Sequence, residues 1–275
     1  MTPRFVEVTD RVYVLTEPLL DVNVTLVVGD SAALLVDTLS TAGQAAELAA
    51  AARAVTAAPW TIVNTHHHFD HCFGNAVLAA DPPRPVHAHE RVTAALRDHP
   101  DRLRREAYAE VVAHWPALAP GLAATALLAP THSVRTEAVL DVGGRRVLLR
   151  HPGPGHTDGD LVVHVPDADV LVAGDLVEQS GPPDFSDAHP LSWPDAVADL
   201  LRLTTPATVV VPGHGRPVDA GFVRAQHARL AELAALIRAG HRDGVAPDRL
   251  AADAPFGPRT ARTAIRRGYA ELDAT

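Results

Sequence analysis

The sequence predicts an α/β (α+β) fold, a sandwich of sheets with helices outside, and three observations predict it. β-rich segments fill most of the first 40 residues and return between residues 138 and 173. Stretches rich in helix formers and too long for strands follow each of these blocks. No repeat and no low-complexity linker divides the 275 residues, so they read as a single domain over 1–275, large enough to bury its own core.

Arg11–Leu15, Asn23–Val28 and Ala32–Val36 are β-rich, with Gly29-Asp30-Ser31 as the turn between the last two. Ala42–Val55 is rich in helix formers and is the first helix. Pro59 resets the chain, and Thr61–Val63 is a short buried strand running into Asn64-Thr65-His66. Residues 74–100 read as helix, short strand (Val86–Ala88) and helix. Leu103, Ala107, Val111 and Trp115 have helical spacing, and a Pro- and Ala-rich loop follows to Pro130. Strands return at Ala138–Val142 and Arg146–Leu149, joined by Gly143-Gly144, then at Leu161–Val165 and Val170–Ala173, separated by a turn at Pro166-Asp167-Ala168-Asp169. Ser192, with Asp195 three residues on, is expected to cap a helix whose Trp193, Val197, Leu200 and Leu201 share one face. Val209–Val211 is another short buried strand. The tail over 222–275 is a helical extension, with Leu230, Leu233 and Ile237 at core spacing and a last helix over Pro258–Leu272.

The net charge of −9 disfavours nucleic-acid and anionic-membrane partners, which would need clustered positive charge. Every basic residue is Arg, a mark of genome composition alongside the abundant Ala, Val and Pro. Cys72 is the only cysteine, so no intrachain disulfide can form. Met1–Val12 lacks a basic start followed by an apolar core, and no apolar run approaches the ~20 residues of a membrane span. A cytoplasmic protein with a small-molecule substrate is expected.

Histidine is abundant, at 16 residues, and it clusters. In His66-His67-His68-Phe69-Asp70-His71, alternate residues of an extended backbone face one way. His66 and His68 can therefore reach one metal while His67 points elsewhere, and Asp70 and His71 can turn toward a second metal about 3.5–4 Å away. Gly155-His156-Thr157, Gly174-Asp175 and Pro212-Gly213-His214-Gly215 each place one metal-binding side chain beside a Gly, with strands ending at these segments. Two zinc ions need about four ligands each. His66, His68 and His156 make a first site, Asp70, His71 and His214 a second, and Asp175 bridges them. Thr65, Asn64 and Asp158 are expected to orient the imidazoles. His67 reads as a non-ligand that either supports the ligands from behind or packs. His87, His89, His132, His151, His164 and His189 lack completing partners, and Cys72 reads as a small buried filler.

On these motifs the chain resembles the metallo-β-lactamase superfamily, from its opening strands to Pro212-Gly213-His214-Gly215. The resemblance implies a four-layer αββα sandwich with two metal ions in a shallow groove at one edge of the sheets. It also implies a metal-bridging hydroxide that attacks the carbonyl of a small ester, thioester, lactone or β-lactam, with Asp70 and Asp175 holding the metals and accepting its hydrogen bonds. His71 and Asp175 look more like the glyoxalase II and lactonase branch than the zinc β-lactamases themselves, which commonly carry Arg and Cys there. His156-Thr157-Asp158-Gly159-Asp160-Leu161-Val162-Val163 nonetheless resembles the corresponding part of β-lactamase-like hydrolases. Insertions such as 101–130 shape the groove in this superfamily, so that segment is expected to form a helical lid. The loop Glu178–Pro190, with Phe185 and His189, is expected to border the site.

Histidine and carboxylate also suit iron, and iron-dependent sulfur dioxygenases of the superfamily carry a similar motif. That is the second reading. A nuclease is third, since the acidic balance disfavours a polyanion. A non-catalytic binding module comes last, because all seven ligand positions are filled.

Overall fold

The computed structural model describes residues 4–80 and 82–274. Residues 1–3 and 275, the outer ends of the expected domain, and residue 81 lie outside the described residues.

The first half of the chain supplies strands β1 (Val6–Thr9), β2 (Val12–Glu17), β3 (Val22–Val28), β4 (Ala33–Val36), β5 (Trp60–Val63), β6 (Val86–His89) and β7 (His132–Val134). They lie side by side in sequence order, antiparallel from β1 to β4 and parallel from β4 to β7. The second half supplies β8 (Glu137–Val142), β9 (Arg145–Arg150), β10 (Val162–Val165), β11 (Val170–Glu178) and β12 (Val209–His214), also in order, with only β11 and β12 parallel. Among the described residues, strand pairing joins the two half-sheets at one position, His214 of β12 opposite Val22 of β3.

Alternation along the strands sorts side chains into separate cores. Leu34 and Val36 of β4, Val63 of β5, Val163 and Val165 of β10, and Val170 and Val172 of β11 share one buried cluster between the half-sheets. The intervening Ala33, Leu35 and Ile62 face a second cluster with helices α1 (Ala42–Val55), α4 (Glu90–Asp98) and α5 (Pro100–His114). Leu171, Ala173 and Val210 face a third, built with α7 (Trp193–Leu201), α8 (Ala220–Arg242) and α10 (Pro258–Asp273). Period-two strands between three apolar layers give a helix–sheet–sheet–helix order, the αββα sandwich expected. Shorter helices α2 (Phe69–Cys72), α3 (Asn75–Leu78), α6 (Ala119–Ala124) and α9 (Pro247–Leu250) complete the set described.

Helix α1 has the expected bounds, its N-terminus capped by Thr41 accepting from the Gln44 amide. Four expectations need correction. Ser192 does not cap α7: the Asp195 amide is taken by the Ser192 carbonyl, and the hydroxyl donates to Pro154 O instead. The Pro- and Ala-rich stretch after Trp115 holds the short helix α6 rather than only loop. Strands β1 and β7, both at the margin of the first half-sheet, carry too little apolar pattern to be read. Gly174-Asp175 and Gly213-His214 do not follow their strands but lie within them, because β11 continues to Glu178 through an irregular register at Gly174. That bulge rests on a left-handed backbone, φ +54°, which glycine adopts without strain.

Candidate metal centre

Strand β5 delivers the histidine cluster to the edge where the half-sheets meet. Beyond it, Thr65 is fixed by Asp37, whose carboxylate accepts from the Thr65 amide and hydroxyl, both at 2.8 Å. The helical turn Phe69–Cys72 then turns Asp70 and His71 toward the interior. The His71 carbonyl accepts from the Thr38 amide (2.8 Å), the Thr38 hydroxyl (3.1 Å) and the Asn64 amide (3.3 Å). Asn64 and Asn75 exchange two amide hydrogen bonds at 3.0 and 2.8 Å. A buried polar network with its donors and acceptors matched holds one geometry, and here it holds the backbone of the motif.

All seven side chains singled out from the sequence come together. His66, His68, His156 and Asp175 offer ligand atoms within 4.8 Å of one another, and so do Asp70, His71 and His214. Asp175 reaches both groups. Its Oδ2 lies 3.6 Å from His66 Nε2, 3.7 Å from His156 Nε2 and 3.5 Å from His214 Nε2, and its Oδ1 lies 3.1 Å from His71 Nε2. Asp70 Oδ2 is 3.2 Å from His214 Nε2 and 3.5 Å from His71 Nε2.

These residues fit a metal better than they fit one another. Two donors bound to one tetrahedral zinc about 2.1 Å away lie about 3.4 Å apart, the spacing seen here. His66 Nε2, both ring nitrogens of His156 and Asp175 Oδ1 are buried with no hydrogen-bond partner among the described residues. Such orphans are costly unless something fills the space between them. The tautomers agree. His214 Nδ1 faces the Leu20 carbonyl at 2.8 Å, which can only accept, and His71 Nδ1 faces Asp37 at 2.8 Å. Both rings therefore turn Nε2 inward, 3.4 Å apart, where two neutral rings would set lone pair against lone pair, so the space between them favours a proton or a metal cation. Imidazole with carboxylate is a donor set that zinc takes readily.

The electrostatics point the same way. Burial works against a charge on His71, yet Asp175, Asp70 and Asp37 outweigh it and raise its pKa well above the ordinary value. Burial also opposes a charge on Asp175, but His71 and His66 hold its carboxyl well below the usual range. Burial lowers His66 strongly and His156 to about 4. The two carboxylates thus make a field that favours positive charge at the centre of the cluster.

Thr65 does orient an imidazole, its hydroxyl lying 3.0 Å from His66 Nδ1. Asn64 instead holds the His71 backbone, and Asp158 lines the adjoining cavity. The carboxylate facing His156 is Asp160, 4.0 Å from Nδ1 and itself gripped by the Thr157 amide and hydroxyl. Burial raises Asp160 to about 7. Of the two roles expected for His67, the structure shows the supporting one, because its Nε2 lies 3.2 Å from Asp187. Asp187 also meets His68 Nε2 at 3.2 Å, and although burial opposes it, this carboxylate raises His68 to about 10. Glu178 joins Asp175 and His214 within 4.8 Å, and burial beside Asp175 pushes its carboxyl well up. Asp37, Asn75, Asp160, Asp187 and Glu178 carry no motif spacing that would have announced them. Among the other histidines, His89 and His151 stack on each other, with ring centroids 4.0 Å apart, and His87 lies beside His132 on the neighbouring strand. Cys72 is buried, its thiol donating to the His67 carbonyl.

The cluster forms the floor of a cavity of about 1530 Å³. Its walls come from α4 and α5 (Arg91, Glu106, Glu110), from the loop after β11 (Phe185, Asp187) and from α10 (Arg259). No helix among the described residues is long and apolar enough to cross a membrane.

Comparison with known proteins agrees with this architecture. A curated metallo-beta-lactamase type 2 of Bacillus sp. (strain 170) is 30% identical over 97 residues, which is 34% of this chain and 38% of that relative. The corresponding enzyme of Pseudomonas aeruginosa is 32% identical over 79 residues, or 29% of this chain and 32% of that relative. The chain thus spans well under half the length of these curated relatives. The solved metallo-beta-lactamase from Pontibacter korlensis superposes with a TM-score of 0.67 at 21% identity, covering 83% of this chain and 99% of that one, which establishes likeness of fold. The family model for the metallo-beta-lactamase superfamily matches residues 18–214, a span that contains every member of the His and Asp cluster, and the chain belongs to that superfamily.

Proposed function

We propose that this protein is a binuclear zinc-dependent hydrolase acting on the carbonyl of a small ester, thioester, lactone or β-lactam. The observation that carries the reading is the pair of donor groups meeting at Asp175, with buried polar atoms on His66, His156 and Asp175 that have no hydrogen-bond partner among the described residues.

His66, His68 and His156 would hold one ion, Asp70, His71 and His214 the other, and Asp175 both. When bound, two zinc ions supply Lewis acidity and lower the pKa of water so that hydroxide is available near pH 7. Asp70 and Asp175 accept hydrogen bonds from the attacking water and fix its direction. Asp37, Leu20 and Thr65 hold the imidazoles in the tautomers that leave their inward nitrogens free. Helix α5 serves as a lid, and with the loop Glu178–Pro190 it orients the substrate and limits water. The cavity wall carries carboxylates from Asp98, Glu106, Glu110 and Asp184 beside its arginines, which supports a small molecule over a nucleic-acid polyanion.

The test is the metal content of protein purified without added metal, by inductively coupled plasma mass spectrometry, followed by a panel of lactones, thioesters, esters and β-lactams. About two zinc ions per chain with turnover on the panel is the expected result. One iron per chain with oxygen consumption would replace this reading with a sulfur dioxygenase, and no bound metal after zinc is offered would overturn it.

A further inference from the structure

The loop between β11 and α7 reaches back over the histidine motif. Asp187 in this loop places Oδ1 and Oδ2 at 3.2 and 3.3 Å from His68 Nε2, and Oδ2 at 3.2 Å from His67 Nε2. The loop is gripped in turn from the far end of the sequence. Arg267 of α10 donates from Nε to the Ala188 carbonyl (2.8 Å), from one terminal nitrogen to the Asp187 carbonyl (2.9 Å) and from the other to the Ser186 carbonyl (3.3 Å). Three consecutive carbonyls on one guanidinium use the planar fork that distinguishes Arg from Lys. Helix α10 is a firm base for it, since Ala261, Ala264, Ile265 and Gly268 are buried against the third core.

We propose that Asp187, held by Arg267, is a positioning residue for the three-histidine group. A carboxylate only accepts, so this contact keeps the proton of His68 on Nε2 and leaves the Nδ1 lone pair for a metal. The C-terminal helix therefore acts on the metal centre through Arg267, the loop backbone, Asp187 and His68. His67, adjacent to the ligands, shares the same carboxylate and steadies it. The inference rests on the metal-centre reading above.

The experiment compares wild type with Asp187→Ala, Asp187→Asn, Arg267→Ala and the Asp187→Ala/Arg267→Ala double variant. Zinc affinity is measured by competition with a chromophoric chelator, and the His68 tautomer by long-range imidazole nitrogen–proton NMR. Asp187→Ala is expected to weaken the tighter-responding zinc about 10- to 100-fold and to shift His68 away from the Nε2–H form. Asp187→Asn, which keeps one acceptor oxygen, should recover part of both effects. Arg267→Ala should act in the same direction, and the double variant should be no weaker than Asp187→Ala, because both act through one contact. Cobalt substitution adds a spectrum that a merely structural residue would leave unmoved. Wild-type affinity and tautomer in Asp187→Ala would overturn the proposal. So would a third zinc per chain in wild type that Asp187→Ala abolishes, since that would make Asp187 a ligand. Should wild type bind no zinc, the metal reading falls separately, and whether the His68 Nε2–H resonance of the metal-free chain is protected in wild type and lost to exchange in Asp187→Ala still decides whether Asp187 holds that proton.

Discussion

His71 donates its Nδ1–H to the carboxylate of Asp37 at 2.8 Å, across 34 residues of sequence. The same carboxylate accepts from the amide and hydroxyl of Thr65, so one buried acid ties β4, β5 and the metal-facing ring into a single unit. Burial raises the Asp37 pKa, with His71 and Thr65 opposing. An Asn at this position would offer one accepting oxygen where three donors now converge. Asp37→Asn is therefore expected to weaken metal binding at the Asp70–His71–His214 group about 10- to 100-fold, read by chelator competition. Unchanged affinity would show that His71 is oriented by something else.

Among the described residues, Asp175 is the carboxylate within reach of both donor groups. Asp175→Ala should lose metal and nearly all turnover, and wild-type turnover with two metals still bound would refute its shared role. Gly213 packs so closely on Asp175 that a methyl there would overlap Oδ1 and crowd the Asp175 amide. Gly213→Ala should thus reproduce the loss of metal in milder form by pushing the carboxylate aside, with metal content per chain as the readout.

Metal should stabilise the fold as well as the chemistry. The centre buries two carboxylates and several polar atoms without partners among the described residues, so zinc held there as proposed would bind the native state and not an unfolded chain that lacks the site. At zinc one hundred times above the dissociation constant the gain is about 2.7 kcal/mol. At about 2–4 °C per kcal/mol for a chain of this size, chelation should lower the thermal midpoint by roughly 5–10 °C in a scanning calorimeter. No change on chelation would count against a preformed site.

His89 carries a pH dependence away from the metals. Its Nδ1 accepts from the Arg91 amide at the start of α4, and its Nε2 donates to the Arg135 carbonyl at 3.1 Å, so the neutral ring caps the helix. Burial, then the stacked His151 ring, lowers its pKa to about 4 from an ordinary 6.5. Protonation therefore favours the unfolded chain. This contribution is complete above about pH 6.5 and falls away as the pH drops toward about 4. Chemical denaturation across that range should show stability declining with acid, and His89→Asn, which caps without titrating, should flatten the slope. An unaltered slope in the variant would place the acid sensitivity elsewhere.

Much of the candidate site was legible in the chain because donor clusters of this kind announce themselves locally. His66, His68, Asp70 and His71 lie within six residues, and His156, Asp175 and His214 each adjoin a glycine. Helix α1 was legible for a similar reason, since a long run of helix formers is a local signal. Asp160 and Asp187 were not, although both stand close to motif residues. A lone Asp in a Gly- and Pro-rich loop looks the same whether it faces solvent or an imidazole.

What the sequence determined by itself is what depends on near neighbours: the alternation that makes two-faced strands, the runs that make helices, and the seven candidate metal-binding side chains that the fold brings together. The tertiary structure alone decided which of those side chains share an ion-sized space, that Asp37, Thr65 and Leu20 set their protons, and that an arginine in the last helix reaches the first motif through Asp187. The physical reason is range. Periodicity and capping act over a turn or two of chain, whereas His71 meets His214 across 143 residues and Arg267 meets Asp187 across 80. Those meetings exist only once three apolar layers have packed and brought the strand ends to one edge.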